Sequence, residues 1–411
     1  MAQSEEARIR QRAEDILAVL QQRKPAEDVF TPDFVTAITP AQLRVFAEQM
    51  EAGAGRLQAV ERAEADGGPG AAKIVLRFEK ALGNGMFQLE SQAPYRVAGF
   101  RITEFTPQND SLVAVTAELH ALPGDVGVYF GPMNGGRPLL AIQDKQPFAV
   151  GSTFKLYVLS ALVRSIAEGR HRWDEVVPLD HKSLPSGMIQ DWPDGAPMTL
   201  HTLATLMISI SDNSATDQLI HLLGREAVEA EVARSGSAHA AANRPFMTTR
   251  DMFALKAGSD GRLAAYGAAG EAERRGMLAK IADEPLSTDA IERAFANGPR
   301  ALNVEWFASA RDVAAIFGQL IDQNDATALA ILAVNPGMTP LPGDRWNYIG
   351  YKGGSEPGVL NLSWLLRDKG GAWWTLSASW NNPAAGLDQP VFEQLARRLM
   401  LLQNGAADGA R

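Results

Sequence analysis

Between Glu6 and about Gln21 the apolar residues Ile9, Ala13, Ile16, Leu17 and Leu20 recur three or four positions apart, the spacing of one helix face. A second helical stretch opens at Pro40, a residue suited to a first helical turn, and sets Leu43, Phe46 and Met50 one turn apart. The period then changes. Gly55–Ala63, Ala72–Phe78, Gly85–Ser91 and Tyr95–Glu104 read as strands, parted by turn signals at Gly67-Gly68-Pro69-Gly70 and Gly83-Asn84-Gly85. Helices followed by a strand meander make an α+β unit, expected over residues 1–107. At Thr106-Pro107-Gln108-Asn109-Asp110 the pattern breaks, which starts a second domain over 108–411.

The second domain begins with a helix over Ser111–Leu122, with Leu112, Val115 and Leu119 on one face and Pro123-Gly124 after it. Val126–Phe130 and Leu139–Gln143 form a hairpin-like pair across Met133-Asn134-Gly135-Gly136. A largely apolar helix from about Thr153 to Gly169 is expected to be buried. Near the end, Asn347–Lys352, Val359–Leu366 and Trp373–Trp380 read as strands, and Gln389–Leu402 as an amphipathic helix. Strands at both ends of a helical middle, with terminal helices laid on them, predict an α/β sandwich. Helical stretches at Leu263–Ala282 and Thr288–Ala296 mark a helical insertion at about 255–302.

At 411 residues the chain is long enough for these two domains. A net charge of −9 argues against nucleic acid or an anionic membrane as partner and leaves a small-molecule substrate. No run of about 18 apolar residues is present to span a bilayer. The absence of cysteine excludes disulfides, thiolate metal sites and a cysteine nucleophile. The 6 histidines lack metal-ligand spacing, so neither a metal nor another cofactor is expected. Nothing in the pattern sets an oligomeric state. Met1-Ala2-Gln3-Ser4-Glu5-Glu6 has no basic and apolar signal region, which fits a cytoplasmic start or a Met placed on a mature exported chain.

Three short motifs carry candidate chemistry. Ser152-x-x-Lys155 stands at the start of the buried helix, and side chains at i and i+3 emerge on one face. A lysine kept from water beside a serine has its charged form destabilised and is a base for the hydroxyl. Amides at a helix start also suit an anionic transition state. Ser211-Asp212-Asn213 follows an apolar helix over Leu203–Ile210 and precedes another over Ser214–Leu223. It supplies a hydroxyl for proton relay and an amide for substrate, and also reads as a helix cap. Lys352-Gly353-Gly354-Ser355 closes a strand with a cation beside backbone that a ligand can approach closely.

In this order the set resembles the signature of class A β-lactamases and penicillin-binding proteins, over roughly Ser111 to Leu402. The resemblance implies Ser152 as acylated nucleophile, Lys155 as its base and Ser211 as proton shuttle. It implies Asn213, Lys352, Gly353 and Gly354 at the substrate, Asp212 in a structural role, and the amides of Ser152 and Ser355 as an oxyanion hole. Trp192, in Gln190-Asp191-Trp192-Pro193-Asp194-Gly195 between the first two motifs, is expected against the substrate, because family members line the cleft there. The element order of the first domain is similar to an NTF2/SnoaL-like cone. The two-domain layout resembles β-lactamase-like proteins of clavulanic-acid clusters, a group associated with weak esterase activity. The family also implies a periplasmic or secreted location.

Two departures shape the expected activity. No glutamate occurs between Glu231 and Glu271, where class A enzymes carry the one that activates the deacylating water. Hydrolysis of a penicillin acyl-enzyme is therefore expected to be slow. Glu305 is the one substitute to watch, with pairing to an arginine as its other reading. Gly353 replaces a residue more often Thr or Ser, removing a hydroxyl from the substrate-carboxylate site, and Ser355 is a candidate replacement. The substrate classes left open are an ester, a β-lactam or a peptide-like amide. A β-lactamase with another deacylation base and a non-catalytic β-lactam or peptidoglycan sensor remain alternatives.

Overall fold

The computed structural model describes residues 5–108, 110–338 and 346–402. Met1-Ala2-Gln3-Ser4 and Asn109, on which the expectations for the N-terminus and the domain boundary partly rest, lie outside them. The chain divides into two compact units, Met1–Ser111 and Leu112–Arg411.

The first unit contains α1 (Glu5–Leu20), α2 (Pro32–Ala37) and α3 (Pro40–Ala54). Its antiparallel sheet runs in the order β1 (Leu57–Ala65), β2 (Ala71–Phe78), β3 (Ala81–Leu89) and β4 (Val97–Pro107). Pro40 is at the first helical turn as expected, and Thr39 and Gln42 close a capping box ahead of it. Three glycines act differently from their sequence reading. Gly55 ends α3 at φ 75 rather than opening a strand. The turn read at Gly83-Asn84-Gly85 lies instead between Phe78 and Ala81, and both glycines are within β3. They are needed for close approach: a Cβ on Gly85 would meet the Arg101 carbonyl at 2.4 Å, beside a bulge in the β3–β4 register.

The second unit starts with α4 (Leu112–Ala121), β5 (Asp125–Pro132), β6 (Leu140–Ile142) and the two-residue β7 (Phe148–Ala149). A 3₁₀ turn over Gly151–Phe154 leads into α5 (Lys155–Ala167). The helical middle then follows, with α6 (Leu200–Ser209), α7 (Asn213–Leu223) and α8 (Arg225–Arg234), preceded by the short pair β8 (Val176–Pro178) and β9 (Pro197–Thr199). After it come α9 (Thr249–Ala257), α10 (Asp260–Ala268), α11 (Glu271–Ile281) and α12 (Thr288–Phe295). The chain ends with β10 (Phe307–Ala308), α13 (Ala310–Asp322), α14 (Ala326–Leu332), β11 (Trp346–Glu356), β12 (Val359–Asp368), β13 (Trp373–Asn381) and α15 (Gln389–Leu402).

The main sheet is antiparallel in the order β11-β12-β13-β5-β6. One face packs Trp364, Leu376 and Trp380 against Phe392, Leu395 and Leu399 of α15 and Val115 and Leu119 of α4. Leu365 on β12 joins the other core, among Phe154, Leu159, Leu203 and Ile316 of the helical middle. With both faces covered, β12 is apolar nearly throughout instead of alternating. Capping boxes at Thr248/Asp251 and Ser309/Asp312 start α9 and α13.

The single helix read at Leu263–Ala282 is two, because the chain turns extended at Ala269 and Gly270. Leu263, Tyr266, Leu278 and Ile281 of this pair are buried in the helical core, so the insertion is an integral part of that body.

Candidate active site

Ser152 sits in the 3₁₀ turn ahead of α5, and the α-helix proper begins at Lys155. The turn is held from several sides. Asn381 clamps β7, its Oδ1 accepting from the Ala149 amide at 2.9 Å and its Nδ2 donating to the Ala149 carbonyl at 3.0 Å. Thr153 Oγ1 donates to Asn361 Oδ1 at 2.8 Å, and Ser363 Oγ donates to the same oxygen at 2.7 Å. Asn361 Nδ2 donates to Ser379 Oγ at 2.8 Å, and Ser363 meets Ser377 at 2.9 Å. Thr153, Asn361, Ser363, Ser377 and Ser379 are all buried, so each hydrogen bond among them replaces one that water would make.

Glycine lets β11 press against the same turn. A Cβ on Gly354 would lie 2.2 Å from the Val150 carbonyl and 2.4 Å from the Ser152 amide nitrogen. One on Gly151, whose φ is +49, would lie 3.0 Å from the Ser355 amide nitrogen. The two amides expected to form an oxyanion hole thus belong to segments in direct backbone contact.

Lys155 is fully buried. Its Nζ donates to the Ser211 carbonyl at 2.7 Å, Ser211 Oγ at 3.1 Å and Asn213 Oδ1 at 2.8 Å, rather than to Ser152. Lys352 Nζ reaches the same Ser211 Oγ at 3.1 Å and also donates to the Gly353 carbonyl. One hydroxyl therefore bridges two buried lysines. Burial holds Lys155 well below the usual lysine value, and the nearby Lys352 charge lowers it further. Burial brings Lys352 down to about 7. Amines so shifted are available to accept and return protons near neutral pH.

Ser211 adopts φ 60, a left-handed conformation uncommon for serine, in the short link between α6 and α7. Asp212 fixes that link. It caps α7 through the Ala215 amide at 2.9 Å and accepts from Met188 at 2.7 Å and Ile189 at 3.1 Å. Its contacts are those of a structural residue.

A cleft of about 370 Å³ is lined by Ser152, Ser211, Asn213, Lys352, Gly353, Gly354 and Ser355. Lys155 underlies it. Trp192 does not line it, contrary to expectation. That residue ends the 3₁₀ turn Ile189–Asp191, its carbonyl accepts from Lys182, and 39% of it is exposed.

The space a side chain at Gly353 would use is occupied: its Cβ would be 2.1 Å from the Tyr351 hydroxyl. Tyr351 also lines the cleft, so it places a hydroxyl where the sequence pattern lacks one. Glu305 lines the cleft too, but its partner is Lys256 at 3.2 Å, not an arginine. Sequence reading missed Tyr351, Glu356 and the Asn361 network. The one signal for the network was a two-residue alternation of small polar residues, Asn361/Ser363 and Ser377/Ser379, inside apolar strands.

A family model described as the Beta-lactamase enzyme family matches residues 112–336. The chain belongs to the β-lactamase enzyme family. Similar solved structures include a β-lactamase from Sphaerobacter thermophilus at 22% identity and a TM-score of 0.50, covering 71% of this chain and 94% of that one. A β-lactamase from Francisella tularensis is 14% identical at a TM-score of 0.51, covering 72% and 98%. A mutant of PBP-A, solved as an acyl-enzyme complex with penicillin G, is 16% identical at 0.50, covering 74% and 100%. At these identities the likeness is one of fold. No curated protein matches the chain. The family is one of β-lactamase-like and penicillin-binding-protein-like serine hydrolases acting on small molecules, and its members are often periplasmic or secreted. Among the described residues no helix is long and apolar enough to cross a membrane.

Proposed function

We propose that the chain is a serine hydrolase that acylates Ser152 with the acyl group of an ester, a β-lactam or a peptide-like amide. The observation that carries the reading is the Ser211 hydroxyl, 3.1 Å from both Lys155 and Lys352, in the cleft that holds Ser152. Lys155, whose charged form is disfavoured by burial and by the nearby Lys352 charge, takes the Ser152 proton as Oγ attacks the acyl carbon. Ser211 then passes a proton to the leaving group. The Ser152 and Ser355 amides receive the developing oxyanion, where loss of one donor typically costs a hundredfold or more in rate. Asn213 and the Tyr351 hydroxyl border the substrate, and Lys352 gives an anionic one a cation to bind. Lacking a glutamate in the usual segment after Ser211-Asp212-Asn213, the enzyme turns over esters faster than penicillins. Like many of its family, it works outside the cytoplasm.

Intact-protein mass spectrometry after exposure to a fluorophosphonate and to penicillin G tests this. One adduct per chain is expected, as on the PBP-A neighbour, and none on Ser152→Ala. An unlabelled wild type, or equal labelling of Ser152→Ala, would refute the assignment.

A further inference from the structure

The cleft contains a charged cluster that this mechanism does not use. Lys256 on α9 has a fully buried side chain, and its ammonium meets Glu305 Oε1 at 3.2 Å and Glu356 Oε1 on β11. Both glutamates line the cleft with Ser152. Their roles differ. Glu305 spends its second oxygen on the Trp306 amide at 3.0 Å. Glu356 Oε2 is buried and accepts no hydrogen bond from an N–H or hydroxyl donor among the described residues, and the Glu356 carboxyl also lies against that of Glu305. An unpaired buried carboxylate oxygen is costly, and a structural tie between α9 and β11 requires only Oε1.

Strand geometry shows from which face of the sheet the Glu356 side chain leaves. Along β11 positions 352, 354 and 356 share one face, so the Lys352 and Glu356 side chains emerge on the side where Gly354 has none. Lys352 reaches Ser211, Gly354 abuts the Ser152 amide, and Glu356 comes next beyond it. The Glu356 side chain therefore leaves the strand on the face that meets the nucleophile turn, one residue past the Ser355 amide, and lines the same cleft as Ser152.

We propose that Glu356 is the general base that clears the acyl-enzyme, which rests on the acyl-Ser152 reading above. A water in the cleft gives its proton to the Glu356 carboxylate as its oxygen bonds to the acyl carbonyl carbon. The oxyanion forms on the Ser152 and Ser355 amides. The bond from that carbon to Ser152 Oγ then breaks, and the proton held by Glu356 returns through cleft water to Lys155 and by way of Ser211 to Oγ, so the acid is released and the enzyme restored. Glu305 is a positioning residue, holding Lys256 and, with it, Glu356 Oε1. The charged groups facing Glu356 are Lys256 and Glu305. Burial and the Glu305 charge raise Glu356 to about 8 against the pull of Lys256, so the base form grows as pH rises through that value.

The test separates acylation from deacylation with p-nitrophenyl acetate and penicillin G, following the Ser152 adduct by intact mass. In Glu356→Gln, acylation stays near the wild-type rate while deacylation falls by about a hundredfold or more, so the adduct accumulates. Equal clearance by wild type and Glu356→Gln would overturn the proposal and leave the nucleophile assignment standing. A wild type that never forms an adduct would instead defeat that assignment. Because Glu356→Gln removes a buried partner of Lys256, a wild-type measurement stands beside it. The deacylation rate should rise with pH around a midpoint near 8, and a flat profile overturns the proposal whatever the variant does.

Discussion

Gly354→Ala probes how tightly the sheet edge and the nucleophile turn are matched. The added methyl would meet the Val150 carbonyl at 2.2 Å, the Ser152 amide at 2.4 Å and the Thr153 amide at 2.7 Å, where ordinary contact begins at 3.4 Å. All three are backbone atoms, so no side chain can swing aside, and strand and turn must separate by about 1 Å. Overpacking of that kind costs about 1–3 kcal/mol of stability. The larger effect is on rate. The amides of Ser152 and Ser355 lie on opposite sides of the forced gap, and a misplacement of about 1 Å costs roughly a hundredfold. The assay is the second-order rate of fluorophosphonate labelling at Ser152, with urea unfolding run in parallel. Gly276→Ala is the control, since nothing lies within 4 Å of a Cβ there. In α11 it should raise stability by about 0.5–1 kcal/mol and leave labelling unchanged. A folded Gly354→Ala protein that labels at the wild-type rate would refute the claim that this contact sets the oxyanion geometry.

Asn361→Leu removes the side-chain partner of Thr153 and Ser379 and leaves Ser363 with Ser377 alone, in a buried site. Stability should fall by about 3 kcal/mol and labelling of Ser152 should slow, as read by urea midpoint and labelling rate. Asp212→Ala removes the α7 cap and the anchors of Met188 and Ile189, and a loss of about 3 kcal/mol is expected by the same measurement. Lys352 is charged below about 7 and neutral above it. The KM of a carboxylate-bearing substrate should therefore rise as pH passes through 7, while that of a neutral ester stays level. Its unfolded value is near 10.4, so between about 7 and 10.4 the unfolded chain binds more protons and Lys352's contribution makes stability increase with pH. Lys352→Met should flatten the KM profile and reduce the rise of stability with pH, Lys155 keeping its own share of that rise.

Much of the element order was legible because one-sided burial leaves its period in the chain. Ile9, Ala13, Ile16 and Leu20 along α1, and the apolar run of β12, announce a helix with one buried face and a strand with two. The motif residues were legible for a related reason: each marks a boundary, a helix start at Ser152 and Asp212 or a strand next to glycines at Lys352. The positions of glycines were less readable. Gly83 and Gly85 look like a turn in one dimension, yet they lie inside β3 because their missing side chains admit Phe78, Phe105 and the Arg101 backbone. Trp192 was misplaced because a loop's path is set by what anchors it, here Asp212 and Lys182, and not by its own sequence.

The chain by itself determined which residues have the chemistry: a serine, two lysines and a second serine, each at an element boundary. Only the tertiary structure decided their chemical state and company. A lysine's proton affinity depends on the water excluded around it, and that exclusion comes from α5, α7 and β11 packing together. Likewise Glu305 and Glu356, 51 positions apart in number, share Lys256 only because α9 and β11 meet there. Burial and electrostatic coupling are properties of neighbours in space, and the sequence orders neighbours only along the chain.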